Sequence, residues 1–140
     1  MDSPSEGRGS AEVPSFDVAE SSGELRVMAR VLVLGPDCLV TVWGGTRPHV
    51  GAVGMAQFRP SLRDPQEPAA TSSVFTYAGH KEDMLAKSMS EELAERLERN
   101  TVVVAGMHWD GLTDGDIDTI TALCGRIVEA IVQGFPGVSG

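Results

Sequence analysis

The chain has 140 residues, a length that predicts a single domain. Its 20 acidic and 11 basic side chains give a formal net charge of −9, which argues against a nucleic-acid-binding surface and against binding to anionic membranes. Its two cysteines form no C-x-x-C pair, and no segment approaches the roughly 20 apolar residues of a membrane-spanning helix, so we expect a cytoplasmic protein with reduced thiols.

The first 22 residues are rich in Ser, Gly, Glu and Pro. Such a segment buries too little apolar surface to offset its ordering entropy, which predicts a disordered N-terminal tail over residues 1–22. We therefore expect one folded domain over residues 23–135 and a short C-terminal tail over residues 136–140.

Three strands are predicted at the start of this domain. Residues 25–34 alternate between apolar and polar positions, which is the period of a strand. A Gly-Pro-Asp turn leads to a β-branched strand at residues 38–43, so the two form a hairpin. Residues 50–58 read as the third strand.

The middle of the chain contains a proline-rich connection, a strand and a helix. Residues 59–72 carry three prolines among charges and are interpreted as a long surface connection before a short strand at residues 73–77. Residues 82–99 then place apolar side chains four positions apart, which predicts a one-faced helix.

The C-terminal part predicts a central strand and a second helix. Residues 101–107 are apolar on both faces, as in a strand covered on both sides. A helix is expected at residues 114–132, with Thr113 and Asp116 as a capping box and a buried stripe that begins at Ile117. The whole order predicts an α+β fold, a mainly antiparallel sheet of about five to six strands with two helices on one face.

The candidate site is centred on a motif between the second and third strands. Gly44 and Gly45 are followed by Thr46, Arg47 and His49 around a rigid proline. Backbone N–H groups at a glycine pair, a hydroxyl and a guanidinium are suited to a phosphate, although a glycine pair beside a strand is also common in plain turns. The motif is neither a Walker loop nor a dinucleotide fingerprint.

The three histidines of the chain, His49, His80 and His108, each adjoin a predicted strand end. Three imidazoles can hold a divalent metal ion, but the spacing is wide, and loop histidines bonded to backbone are the alternative. A histidine-dependent metal enzyme is therefore the weakest hypothesis.

The residues next to the histidines are interpreted either as part of the site or as ordinary surface residues. Lys81 adds positive charge beside His80, whereas Glu82 is interpreted as a solvated acid in the first turn of a helix. Either Trp43 or Trp109, the latter next to His108, can supply a flat aromatic wall to a ligand. No nucleophile with an adjacent base stands out, so no catalytic residue is expected.

Three motifs together resemble a known family. Residues 44–51, residues 80–83 and residues 105–113 resemble the D subunit of gallate decarboxylase systems, a prenylated-flavin chaperone family whose fold is similar to proteasome assembly chaperone 4. The resemblance covers residues 25–132. This chain departs from the family in the apolar residues that follow Gly51 and in Trp109 after His108.

The resemblance implies a non-catalytic protein that binds reduced prenylated FMN, or FMN, and helps to load it into a UbiD-type decarboxylase. By carry-over, the site residues are Gly44, Gly45, Thr46, Arg47, His49, His80, Lys81 and His108. A domain of this size predicts a homodimer that completes the pocket. The alternative hypothesis is a protein-assembly module that binds no small molecule.

Overall fold

Six strands and two helices follow one another in a computed structural model that describes residues 9–77 and 82–137. They are β1 (Ser15–Ser22), β2 (Leu25–Leu34), β3 (Asp37–Gly45), β4 (Ala52–Pro60), β5 (Pro68–Thr76), α1 (Asp83–Leu97), β6 (Thr101–His108) and α2 (Asp114–Gly134). The predicted strand at residues 25–34 and the start of the second helix are confirmed, and the other elements differ from prediction at their ends.

The six strands form one mixed sheet in the order β1-β2-β3-β6-β4-β5. All neighbours are antiparallel except β3 and β6, which are parallel. β6 is therefore inserted between β3 and β4, and the carboxyl ends of β3 and β6 lie side by side. The α+β fold predicted from the sequence is confirmed.

Both helices cover the same face of the sheet. The inward positions of β2 and β3 alternate, with Val27, Ala29 and Val31 fully buried opposite Val40 and Val42. α1 packs on β4, β5 and β6, whereas α2 packs on β1 and β2. The core is thus a single layer between the sheet and the helices, and the opposite face of the sheet carries no helix in the described part of the chain.

The predicted disorder of residues 1–22 is corrected at its C-terminal end, because Ser15–Ser22 form β1. The strand pairs along its length with β2, and its inward side chains reach α2 and the residue after it. Phe16 contacts the ring of Phe135 edge-on at 6.2 Å, and Glu20 accepts a hydrogen bond from Arg126 at 2.7 Å. These contacts compensate for the conformational entropy that the strand loses when it becomes ordered, and the composition of the segment did not reveal them. Residues 1–8 lie outside the described residues.

The predicted long connection at residues 59–72 is also corrected, because β4 continues to Pro60 and β5 begins at Pro68. The two prolines face each other at the end of the ladder, where a missing N–H is tolerated. The connection is therefore reduced to residues 61–67.

The buried stripe predicted for the second helix is corrected at its first member. Ile117 is 51% exposed, whereas Ile120, Cys124, Ile127 and Ile131 are buried as expected. The reason is its position in the first turn of α2, where the helix borders a cavity instead of the sheet.

Candidate functional site

The parallel pairing of β3 with β6 brings two of the predicted motifs together. Gly45 is the register partner of His108, and the N–H of Thr46 donates to the His108 carbonyl at 2.8 Å. The β3–β4 loop (residues 46–51) and the β6–α2 loop (residues 109–113) consequently leave the sheet at the same edge. The third motif includes His80 and Lys81, which lie outside the described residues, so their roles stay predictions.

The glycine pair is explained by close packing inside the protein. A Cβ on Gly44 would lie 2.8 Å from Cη2 of Trp109, and a Cβ on Gly45 would lie 1.9 Å from the His108 carbonyl oxygen. Gly45 also has a positive φ of 80°. The side of each glycine on which a Cβ would stand is therefore occupied by Trp109 and neighbouring backbone, and the Thr46 N–H is already bonded to His108.

Arg47, His108 and Asp110 form a charged cluster at this edge. Nη2 of Arg47 donates to Oδ1 of Asp110 at 3.3 Å and lies 3.1 Å from Nε2 of His108. Nε2 of His108 is 2.9 Å from the same Asp110 oxygen, and a carboxylate can only accept. The hydrogen bond from His108, with the charge of Arg47, lowers the pKa of Asp110 below its usual range.

His49 and Glu82 form a second, more buried pair behind this cluster. Nδ1 of His49 donates to the Arg47 carbonyl at 2.9 Å, since a carbonyl only accepts, and Nε2 lies 3.0 Å from Oε1 of Glu82. The side chain of Glu82 is 11% exposed and also accepts from the N–H of Met107 at 3.3 Å.

Glu82 is a site residue that sequence reasoning missed, because it was interpreted as a solvated acid of the first helical turn. The sequence does hold one signal for it. A Cβ on Gly51 would lie 2.4 Å from Oε2 of Glu82, so the glycine leaves the space that the carboxylate occupies. The β3–β4 loop, β6 and the start of α1 are thereby held together by one side chain.

All of these site side chains except Asp110 line a cavity of about 740 Å³, here called the Arg47 cavity, whereas Asp110 lines a second cavity. Its polar side contains Arg47, His49, Glu82 and His108. Its apolar side is formed by Met107, Trp109, Leu112, Ile117 and Ile120. One end of the cavity can therefore bind an anion, and the other can contact a flat or aliphatic group.

A second cavity of about 790 Å³, the Trp43 cavity, lies on the other side of Pro48 and Trp109. It is lined by Trp43, Gly44, Gly45 and Thr46 among others. The predicted site residues are thus divided between two cavities, and Trp109 lines both. Arg47, His49 and His108 share the Arg47 cavity, which makes it the stronger candidate.

The predicted metal site is not complete in the described residues. Residues 9–77 and 82–137 contain no group of three or more His, Cys, Asp or Glu side chains suited to an ion. The third predicted ligand, His80, falls outside them. A divalent ion bound by His49, His80 and His108 therefore stays a prediction.

Both cysteines, Cys38 and Cys124, are buried, and neither lines the Arg47 cavity or the Trp43 cavity. Burial raises the pKa of Cys124 to about 11 and also raises the pKa of Cys38. Both side chains are therefore neutral thiols near pH 7, and a thiol is a poor nucleophile compared with its thiolate. Within the described ranges, no helix combines the length and apolar character needed to cross a bilayer.

Comparison with known proteins gives a family and a fold. A family model described as a prenylated flavin chaperone LpdD-like domain matches residues 21–135. No curated protein sequence matches the chain significantly. Among solved structures, a chain from a novel chaperone complex for yeast 20S proteasome assembly is similar, with a TM-score of 0.57 and 11% identity over 85% of this chain and 94% of the yeast chain. At this identity the likeness concerns the fold alone.

Proposed function

This chain belongs to the prenylated flavin chaperone LpdD-like family, and from that membership we propose that it binds reduced prenylated FMN and delivers it to a UbiD-type decarboxylase. In this proposal the partner enzyme carries out decarboxylation in the cytoplasm, and the present chain is a non-catalytic accessory protein. When bound in the decarboxylase, the prenylated flavin supplies the reactive ring system, while the chaperone holds and protects it.

The observation that carries this proposal is the division of the Arg47 cavity into a charged end and an apolar wall. A flavin mononucleotide has the same division, since its phosphate is anionic and its ring system is flat and largely apolar. Arg47 and His108 offer donors to the phosphate, whereas Trp109, Leu112 and Ile117 offer surface to the ring and its prenyl-derived part. The volume of about 740 Å³ lies in the range of about 300–1,000 Å³ typical of small-molecule sites.

The glycine pair has an indirect role in this proposal. Gly44 and Gly45 allow Trp109 and the β6 strand to approach β3 closely, which fixes the Trp109 ring at the cavity wall. Their direct contact with the cofactor, like that of Thr46, His80 and Lys81, is part of the proposal carried over from the resemblance.

We also propose that the protein is a homodimer formed through the open face of the sheet. Val53 of β4 is the register partner of both Phe75 and Val104, and Met55 is the partner of Val102. Phe75 is 63% exposed and Met55 is 58% exposed, so β4 and β5 present apolar side chains on this face beside the polar Ser73. An exposed apolar surface of this kind is typical of a protein–protein interface.

The test of cofactor binding is an anaerobic titration of the purified protein with reduced prenylated FMN and, separately, with plain FMN. Arg47→Ala is expected to weaken binding of the prenylated form by about tenfold or more, because it removes the charged donors for the phosphate. Arg63→Ala is the matched control, since Arg63 is an exposed arginine of the β4–β5 connection, and its binding should equal that of the wild type.

Three results would count against the proposal. Absence of saturable binding by the wild-type protein would contradict the cofactor role, and the protein-assembly alternative would then be preferred. Equal binding by Arg47→Ala would contradict the phosphate contact. A parallel titration with Mg²⁺ or Mn²⁺ addresses the three-histidine metal site, because binding that is unchanged by the ion would remove that prediction.

A further inference from the structure

Two donors of the Arg47 cavity already converge on one anionic atom of the protein. Oδ1 of Asp110 lies 3.3 Å from Nη2 of Arg47 and 2.9 Å from Nε2 of His108. A carboxylate and a phosphate use the same donors, and a guanidinium binds either through its planar fork. Asp110 itself lines the neighbouring Trp43 cavity, so the free protein holds an internal anion on the two donors that we expect the ligand's phosphate to use.

The contact is suited to exchange because it is exposed. The side chains of Arg47 and Asp110 are 69% and 76% exposed, and ion pairs between such groups are weak because water screens them. Asp110 has room to turn away, since most of its side chain faces solvent. An incoming phosphate carries more charge than a carboxylate and can take over both donors.

We propose that Asp110 is an internal competitor for the anionic group of the ligand, which occupies Arg47 and His108 in the free protein, is displaced on binding and returns on release. The identification of that group as the phosphate of prenylated FMN rests on the proposed function. The lowered pKa of Asp110 agrees with the competition, because it reflects the hydrogen bond from His108 and the charge of Arg47 acting on the ionised carboxylate.

Such a competitor has a clear use in a protein that must give up its ligand. A resident carboxylate lowers the affinity for the phosphate and speeds dissociation, because the donors are satisfied again as soon as the ligand leaves. Asp110 therefore favours release of the ligand to a partner over its retention by this protein. Substitution of Asp110 is therefore expected to strengthen ligand binding, whereas substitution of a site residue usually weakens it.

The experiment compares Asp110→Asn with the wild type in the anaerobic titration and in stopped-flow dissociation of reduced prenylated FMN. Removal of the charge is expected to lower the Kd by about three- to tenfold, chiefly through slower dissociation. Asp37→Asn is the matched control, because Asp37 is an exposed residue at the other end of β3, about 25 Å away along the strand, and it changes the net charge equally. Unchanged or weaker binding by Asp110→Asn would overturn the inference.

A double variant separates competition from general repulsion. In an Arg47→Ala background, Asp110→Asn can release only His108, so its gain in affinity should be smaller than in the wild-type background. A gain that persists in full would show that Asp110 acts only as a nearby negative charge, and it would overturn the competition.

A second probe keeps this inference independent of the cofactor. Inorganic phosphate is titrated while the Arg47 and His108 side-chain signals are followed by NMR. Tighter phosphate binding by Asp110→Asn supports the competition even if the wild type takes up no flavin, a result that would contradict only the proposed function. No response of these signals, or equal responses in both proteins, overturns the inference itself.

Discussion

At the residue scale, the arrangement of the site depends on places where two backbones nearly touch. The β3–β4 loop crosses β6 so closely that a Cβ on Gly106 would lie 1.6 Å from the His49 carbonyl oxygen. The N–H of Gly51 donates to the Ala105 carbonyl at 2.9 Å across the same crossing. The crossing places His49 beside Glu82. The position of His49 in the β3–β4 loop therefore depends on the absence of a side chain at Gly106 of β6.

Gly106→Ala is therefore expected to lower the free energy of unfolding by at least about 2 kcal/mol, because backbone atoms must move to admit a methyl group. Gly125→Ala is a control with the opposite expected effect on stability. Gly125 lies within α2, and an added Cβ there meets nothing within 4 Å, so the substitution should raise stability by about 0.5–1 kcal/mol. Urea unfolding of both variants measures the difference, and equal stabilities would contradict the close crossing.

At the scale of elements, the start of α2 connects the fold to the cavity. The Thr113 side chain accepts from the Asp116 N–H at 3.1 Å, and Asp116 accepts from the Thr113 N–H at 3.1 Å, so the predicted capping box is confirmed. Asp114 and Asp116 also suit the positive end of the helix dipole. Since Ile117 and Ile120 line the Arg47 cavity from the following turn, the cap also orders one wall of the site.

Thr113→Ala should cost about 1 kcal/mol of stability, because it leaves the Asp116 N–H without its side-chain acceptor. Thr119→Ala is the matched control within the same helix, where alanine is favoured and the hydroxyl only bonds back to Gly115. Thermal unfolding followed by circular dichroism measures both changes. A loss in Thr119→Ala as large as that in Thr113→Ala would contradict the capping role.

At the scale of the whole molecule, charge and apolar surface are distributed unevenly. The chain carries a formal net charge of −9, yet on the open sheet face Arg30 of β2 is paired with Asp17 at 2.8 Å, and Arg59 of β4 adds a positive charge beside the apolar patch. A second copy can approach this face with less repulsion than elsewhere, which favours the proposed homodimer. The Arg47 cavity lies at the strand ends instead, so a second copy on this face would not complete the pocket, in contrast to the pocket-completing homodimer predicted from the sequence.

Phe75→Lys is expected to convert a dimer into a monomer, because it places a charge within the proposed apolar contact. Leu62→Lys is the matched control, since Leu62 is 91% exposed in the β4–β5 connection and should not change the oligomeric state. Light scattering coupled to size-exclusion chromatography measures the mass of each protein. A wild type that is monomeric at micromolar concentration would contradict this interface.

The sequence by itself determined the elements that have strong local patterns. The alternation in residues 25–34, the capping box at Thr113 and the 3.6-residue period of α2 each report a local preference, and each is confirmed. The fold class followed from the order of these elements, and the family from motifs that keep their order along the chain.

Only the tertiary structure decided which atoms meet. The strand Ser15–Ser22 is ordered by its contacts with β2 and α2. The Glu82 carboxylate occupies the space beside Gly51, and Trp109 packs against Gly44 and Gly45 at the end of β3. The β1–α2 contacts join residues about 100 positions apart, and the other two arrangements depend on the strand order and on the parallel pairing of β3 with β6, which bring together residues more than 30 positions apart. A local pattern reports which face of a segment is buried, but the partner on that face is set by the free energy of the whole packed chain.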